Sequence, residues 1–250
     1  MIPMKNHLLI LFLIPSLLQG QSIINTSAIS HDLDSSLSLV LDAGADLSRG
    51  NSSVNNISSS FGLGKSLSED ASLWFLGGYN QLAVNGESQQ QASYSHMRIN
   101  YEINDHTTLN SYGQFQSNSV LAMDSRFLTG ANIDFDLGKE RDFMIAVGAF
   151  REIENYRDGL TSKLFRGNFI AVAEHKTAHV EVVGFAYFQP SLSDISDYRC
   201  IGELSLRFPI TNDLQLSMNA AARFDSSPHS GLNTTDLGLT TSLRYEKHKN

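Results

Sequence analysis

The chain has 250 residues, with 18 Lys and Arg against 26 Asp and Glu, and a formal net charge of −8. This acidic balance excludes a general nucleic-acid binder, because neutralising phosphates requires a surplus of basic side chains. The single cysteine, Cys200, excludes an intrachain disulfide framework and a metal site built from several cysteines. The length allows one or two soluble domains, or one larger all-β unit.

Residues 1–20 have the features of a secretory signal peptide. Lys5 precedes the apolar run 8–14, which Pro15 interrupts, and a small residue follows at the end of the segment. A positive start followed by a short apolar stretch and a small residue is typical of a cleaved export signal. The run is too short to cross ~30 Å of hydrocarbon, so a membrane anchor is disfavoured. We expect cleavage to leave residues 21–36 as a short periplasmic segment.

The rest of the chain alternates between apolar and polar residues with a period of two. The pattern is clearest at 213–225, and it recurs at 197–208, 236–246, 37–47, 97–103 and 126–137. Successive side chains of a strand point to opposite faces, whereas a helix would repeat apolar residues at i, i+3 and i+4. About a dozen segments show this alternation, with no helical segment among them. This density of predicted strands indicates a sheet that is closed on itself or folded double. We expect this β unit at 37–246, followed by a polar tail at 247–250.

The connections between the predicted strands fall into two sets that alternate along the chain. Short turns are predicted at 68–70, 104–105, 139–142, 176–177 and 209–212, and mostly longer polar loops at 50–53, 85–90, 118–125, 153–161, 190–196 and 226–233. Outer-membrane barrels have short periplasmic turns and longer outer loops. A soluble β-sandwich is the alternative fold, and it gives no reason for short turns and longer loops to alternate along the chain.

Charged residues within the predicted strands fall on the polar face. An arginine facing lipid would cost roughly 2–4 kcal/mol at mid-bilayer, and the pattern avoids this cost. We therefore predict a transmembrane, antiparallel, up-and-down β-barrel of about 12 strands in the outer membrane of a Gram-negative cell. The candidates for lining its lumen are Arg98, Glu102, Arg126, Asp134, Arg199, Glu203, Arg207, Arg223 and Arg244.

A set of short strings along the chain carries a family resemblance. The strings lie at 98–102, 114–118, 126–131, 189–199 and 223–231. Their order and spacing, from about residue 37 to residue 246, resemble the YdiY-like family of salt-induced outer-membrane proteins, which is built around a domain of unknown function. The resemblance implies an outer-membrane β-barrel and neither a known enzymatic activity nor an assigned ligand. One departure is that chains of this kind usually finish with an aromatic residue, whereas polar residues follow Tyr245 here.

His229 is the candidate for a catalytic group at the predicted outer rim. It lies beside Ser226, Ser227 and Ser230, with Asp225 nearby. A lipid- or peptide-cleaving barrel would need such a base within reach of a nucleophile. Serine is abundant in this chain and Pro228 and its neighbours have the composition of a turn, so we do not predict an enzyme.

Two other motifs resemble ligand sites only in part. The segment 62–66 imitates the end of a phosphate-binding loop, but Ser59 stands where the first glycine is needed. Glu174, His175 and His179 are metal-ligating residue types without the spacing of a helical metal site. We therefore expect no metal site and no cofactor.

Two functions remain open for the predicted barrel. A polar lumen suits a narrow pore for ions or small solutes, or a barrel for adaptation to osmotic or salt stress. The same charged residues, paired with one another, would instead plug the lumen of a structural or binding barrel, since a dozen strands lie between filled and open barrels. Its outer loops would then contact lipopolysaccharide or a partner. The expected partners are outer-membrane lipid, lipopolysaccharide and the barrel-assembly machinery, with no nucleic acid.

Overall fold

The computed structural model describes residues 37–49, 53–137, 142–229 and 231–249. The predicted signal peptide and the periplasmic segment 21–36 lie outside the described residues. Within the described part of the chain, no helix is long and apolar enough to cross a membrane.

Antiparallel strands form one closed barrel, in which each strand pairs with its neighbours in the sequence and the first strand pairs with the last. The strands are β1 (Leu37–Arg49), β2 (Ser53–Ser66), β3 (Ala71–Val84), β4 (Glu87–Asn104), β5 (Thr107–Asn118), β6 (Met123–Asp136), β7 (Phe143–Tyr156), β8 (Thr161–Lys176), β9 (Glu181–Pro190), β10 (Tyr198–Pro209), β11 (Leu214–Asp225) and β12 (Thr235–Lys249). The predicted up-and-down barrel of about 12 strands is confirmed. Strand β12 continues to Lys249, so residues 247–249 of the predicted polar tail belong to the last strand.

The outer face of the barrel is apolar, and much of the inner face is polar. Exposed outward-facing residues include Ile57, Phe75, Met97, Phe127 and Leu243, while buried inward-facing residues include Gln116, Arg126, Asn132, Glu152 and Asn168. The hydrophobic effect makes a water-soluble domain bury its apolar face. The inverted arrangement is typical of a barrel whose outer surface contacts lipid.

The two ends of the barrel differ less in loop length than the sequence predicted. We call the end that holds the start of β1 and the end of β12 the terminal end, and the opposite end the far end. Connections at the terminal end lie at 67–70, 105–106, 137–142, 177–180 and 210–213, and those at the far end at 50–52, 85–86, 119–122, 157–160, 191–197 and 226–234. At the far end only 191–197 and 226–234 exceed every terminal-end turn, so the predicted segregation is correct only for these two loops.

The loop predicted at 85–90 is wrong, because Asn85 and Gly86 alone connect β3 to β4. Both residues have positive φ, 52° and 87°. A type I′ turn joins two hairpin strands through two residues and requires positive φ at both of them. Asn-Gly is the preferred sequence of this turn. The predicted loops 118–125 and 153–161 also shrink, because the flanking strands extend into them.

Replacing Gly86 with Val is expected to lower the free energy of unfolding by about 1–2 kcal/mol, because a side chain strains the left-handed backbone. A Cβ at Gly86 would meet nothing within 4 Å, so the cost comes from the backbone alone. Urea unfolding in lipid vesicles measures the effect. The control is Gly113→Val in β5, where the space is equally open and φ is not positive. Equal losses in the two variants would contradict the turn assignment.

Candidate functional site

Glu152 is the centre of a group of ion pairs on one side of the lumen. Its carboxylate is fully buried and accepts hydrogen bonds from Arg126, Arg166 and Arg199. The Nε atom of Arg166 lies 2.9 Å from Oε1, and Nη1 of Arg199 lies 2.9 Å from Oε2. Glu154 binds Nη1 and Nη2 of Arg199, each at 3.1 Å. We call these five residues the ion-pair cluster.

Further acidic and phenolic groups complete the ion-pair cluster at its edges. Nε of Arg199 lies 2.8 Å from Oδ2 of Asp225, and Nη2 of Arg166 lies 3.0 Å from Oδ1 of Asp197. The hydroxyl of Tyr156 donates a hydrogen bond of 2.8 Å to Glu154. Each guanidinium and carboxylate of the cluster has an oppositely charged partner, which lowers the cost of removing these charges from water. The cluster ties strands β6, β7, β8 and β10 together, and the bond of Arg199 to Asp225 adds β11.

A chain of side-chain amides runs along the inner wall of the barrel from β9 to β5, next to the ion-pair cluster. The amide of Gln189 donates to Asn168 at 2.9 Å, Asn168 donates to Asn132 at 3.0 Å, and Asn132 donates to Asn110 at 3.3 Å. Asn110 in turn donates to Asp134 at 2.7 Å. Each amide nitrogen donates to the next side chain, which lowers the cost of burying these polar groups.

Inward-facing apolar side chains fill the same side of the barrel further toward the terminal end. They come from β7 to β10 and form the apolar plug, which consists of Met144, Ala146, Ile170, Val172, Val183, Phe185, Tyr187 and Ile201. Together with the amides and the ion-pair cluster, the plug leaves this side of the lumen packed with side chains.

The opposite side of the lumen contains a cavity of about 270 Å³, which we call the polar cavity. Short hydroxyl and amide side chains line it, among them Asn56, Ser58, Asn80, Asn219, Thr240 and Ser242. Three charged side chains, Asp42, Glu203 and Arg223, also face it. The cavity exists because β1, β2, β11 and β12 carry small inward residues where β7 to β10 carry large ones.

Large apolar side chains lie directly below the polar cavity, toward the terminal end. Val40 and Leu76 are the next inward residues after cavity-lining positions on β1 and β3, and both are buried. Trp74 lies one step further along β3 and packs over Gly64, where a Cβ would come within 2.7 Å of the indole ring. These residues narrow the lumen beneath the cavity.

The predicted lumen residues fall into distinct surroundings. Arg98, Arg126, Arg199, Arg207, Arg223 and Arg244 are buried, Asp134 and Glu203 are half-buried, and Glu102 is exposed. Of these residues, the structure places Glu203 and Arg223 at the polar cavity, where they form an ion pair of 2.9 Å. Arg126 and Arg199 join the ion-pair cluster. Glu102 lies at the terminal rim, away from both.

Two of the predicted arginines form separate pairs. Arg207 binds Glu181 on the neighbouring strand β9. Arg244 on β12 approaches Asp42 of β1 at 3.5 Å and Glu246 at 3.1 Å.

Sequence reasoning missed Glu152, Glu154 and Arg166, which are central to the cluster. The sequence predicts a loop at 153–161, and this prediction hides the inner face of the end of β7. The signal was present, because Glu152 and Glu154 continue the two-residue alternation that starts at Met144. The exposed charge of Arg151 on the outer face obscured it.

His229 joins two far-end loops, and the interactions described for its side chain are with Asp158 and Tyr156. Its Nε2 lies 3.0 Å from Oδ2 of Asp158, and its ring stacks on Tyr156 with centroids 4.0 Å apart. The hydroxyl of Ser226 instead donates to the backbone oxygen of Ser196 and accepts from the amide of Tyr198, both at 2.8 Å. Ser230 lies outside the described residues. The described part of the chain also contains no group of three or more potential metal ligands.

Comparison with known proteins gives one family and several similar folds. The model of the family "Protein of unknown function, DUF481" matches residues 41–246. No curated protein matches the sequence. The translocator domain of autotransporter NalP from Neisseria meningitidis has a TM-score of 0.53 at 9% identity, covering 89% of this chain and 91% of that chain. The KdgM porin in complex with disordered oligogalacturonate has a TM-score of 0.50 at 8% identity, covering 84% and 99%. At such identities the likeness shows a shared barrel fold alone.

Proposed function

The chain belongs to the DUF481 family, as its resemblance to YdiY-like proteins predicted, and from this premise we propose that it is a narrow outer-membrane pore for small polar solutes. The observation that carries the proposal is the polar cavity, a hydrophilic space on one side of an otherwise filled lumen. A role in adaptation to osmotic or salt stress is compatible with such a pore.

The outer-membrane location is supported by the inverted faces of the barrel. Large apolar residues on every side are exposed, and charged residues are buried inside. Each strand of the closed barrel pairs with both of its neighbours. Unpaired strand edges are costly in lipid, so closure suits a β structure that crosses a membrane. On this location the terminal end faces the periplasm, and outer-membrane lipid, lipopolysaccharide and the barrel-assembly machinery are the proposed partners.

The solute path runs along β1, β2, β11 and β12, and not through the centre of the barrel. Hydroxyl and amide groups such as those of Asn56, Ser58 and Asn219 replace the hydration of a polar solute without binding it tightly, which conduction requires. The ion-pair cluster and the apolar plug act as fixed filling that keeps the path narrow.

The second candidate function is a non-conducting structural or binding barrel. It is favoured by the apolar residues below the cavity, because Val40, Trp74 and Leu76 are only 2%, 2% and 0% exposed. In a pore, these residues form a hydrophobic constriction, whereas in a closed barrel they seal it. The two candidate functions therefore differ in whether solutes pass the constriction at Trp74.

Ion selectivity tests the proposed path. The polar cavity carries Asp42 and Glu203 against Arg223, so we expect a weak preference for cations. Replacing Glu203 with Gln leaves Arg223 without its ion-pair partner of 2.9 Å, and the reversal potential in a KCl gradient should shift toward anions. The control is Glu102→Gln at the terminal rim, which should shift it less. An unchanged reversal potential in Glu203→Gln would place the ion path elsewhere.

A further inference from the structure

Two amide side chains at the polar cavity each have one polar atom without a hydrogen-bond partner in the described part of the chain. The side-chain nitrogen of Asn80 donates to Asn56 at 3.4 Å, whereas its oxygen Oδ1 has no partner. In Asn118, Oδ1 accepts from the backbone amide of Val120 at 3.0 Å, and Nδ2 has no partner. Both residues line the cavity. The cavity therefore offers one acceptor and one donor, and leaving such atoms unpaired is costly.

Asn80 and Asn118 flank Ala92 in a single row across β3, β4 and β5. Asn80 lies opposite Ala92 in the β3–β4 ladder, and Ala92 lies opposite Asn118 in the β4–β5 ladder. Neighbouring strands are ~4.8 Å apart, so the Cα atoms of the two amide residues are roughly 10 Å apart. The small side chain of Ala92, which also lines the cavity, leaves the space between them open. A ligand that bridges the two amides must donate a hydrogen bond at one end and accept one at the other.

The ring of Tyr94 forms a flat surface one step from this row toward the terminal end. Tyr94 is the next inward residue of β4 after Ala92, and it lies opposite Gly78 of β3. A Cβ at Gly78 would come within 2.9 Å of Cζ and 3.1 Å of Cδ1 of the ring, so glycine is what allows the ring to lie on the wall. Both residues line the polar cavity. The face of the ring that is turned away from Gly78 is therefore directed into the cavity.

The charged side chains of the polar cavity already have partners within the protein. Asp42 accepts a hydrogen bond of 2.5 Å from Ser242 and lies 3.5 Å from Arg244. Glu203 and Arg223 form the ion pair of 2.9 Å. Because these charges are paired, the groups that remain for a strong contact with a solute are the neutral amides and the ring of Tyr94.

We propose that the polar cavity recognises a small uncharged sugar, an inference that rests on the proposed pore and names the class of its solute. Hydroxyl groups both donate and accept, so two of them can satisfy Oδ1 of Asn80 and Nδ2 of Asn118. A metal cation would bind only the oxygen, and a halide only the nitrogen. The C–H face of the sugar ring packs on the apolar face of Tyr94. The volume of about 270 Å³ suits one sugar ring, because pockets for drug-sized ligands measure ~300–1,000 Å³, and binding is weak because a transported solute must leave again.

Saturation-transfer NMR of the full barrel in detergent, with D-glucose as the probe, tests the sugar site after electrophoresis has shown that each variant is folded. We expect transfer to the ring protons of glucose in the wild type, and about tenfold weaker binding in Tyr94→Ala, which removes the packing surface. Tyr94→Phe keeps the ring and should retain binding. The matched control is Tyr101→Ala on the outer face of the same strand, where the side chain is exposed, and it should bind as the wild type does. Equal binding by Tyr94→Ala and Tyr101→Ala would overturn the proposal.

Replacing Asn80 with Leu removes the unpartnered oxygen and should weaken glucose binding about three- to tenfold, the usual effect of one hydrogen bond. L-proline, a zwitterion with a ring and no hydroxyl group, should show no transfer. Transfer to L-proline in place of glucose would assign the cavity to a charged solute and overturn the proposal, as would no transfer to glucose in the wild type. The NMR signal does not require conduction, so a barrel that binds glucose and carries no current would contradict the pore alone. A barrel that conducts KCl without binding glucose would contradict the sugar site alone.

Discussion

Replacing Glu152 with Ala is expected to lower the free energy of unfolding by about 3–5 kcal/mol, the range for breaking one partner of a buried ion pair. The loss should be large for a single substitution, because three guanidinium groups bind this one carboxylate. Arg126, Arg166 and Arg199 all bind Glu152, and each is at least nine-tenths buried. The variant leaves their charge in a region that water enters poorly.

Urea unfolding in lipid vesicles measures this loss against two other variants. Glu102→Ala at the exposed terminal rim should change stability by less than ~0.5 kcal/mol, as surface substitutions do. Glu152→Gln keeps the shape and removes the charge, so it should be destabilising as well. A loss in Glu152→Ala no larger than that in Glu102→Ala would show that the cluster does not hold the barrel together.

Replacing Trp74 with Ala is expected to admit solutes that the wild type excludes. The indole is buried over Gly64 below the polar cavity, and its removal opens the constriction. The same change should cost about 3–5 kcal/mol of stability, because it empties a packed site. Swelling of proteoliposomes in sugars of increasing size measures entry, after electrophoresis has shown that the barrel is folded.

The matched control for the Trp74 variant is its neighbour Phe75, which lies on the outer face and is 45% exposed. Phe75→Ala should leave the swelling rate unchanged, because its side chain contacts lipid and not the lumen. Faster swelling in Phe75→Ala than in Trp74→Ala would contradict the position of the constriction.

The barrel could be predicted from the sequence because successive side chains of a strand point to opposite faces of the sheet. Alternation in β11 and β12 fixes which residues point inward, from Gln215 to Arg223 and from Asp236 to Arg244. The turn at Asn85 was missed because the flanking polar residues of β4 have the composition of a loop. Their polarity instead reflects a long strand that extends beyond the apolar band.

The partners of the lumen residues could not be predicted in the same way. Arg199 on β10 binds Glu152 on β7, although β8 and β9 lie between these two strands in the barrel. Sequence periodicity gives the face of a side chain, whereas such a contact depends on the curvature of the closed barrel. The filling of only one side of the lumen could not be predicted either. Strand β9 is apolar on both faces from Val182 to Phe188, so no alternation distinguishes its lumen-facing residues from its lipid-facing ones.

Single-channel conductance of the refolded wild-type barrel in a planar bilayer tests whether the barrel is a pore. We expect small, discrete current steps in KCl, with larger steps for Trp74→Ala. A correctly folded barrel that stays silent, both as the wild type and as Trp74→Ala, would contradict the pore and leave the non-conducting barrel as the function.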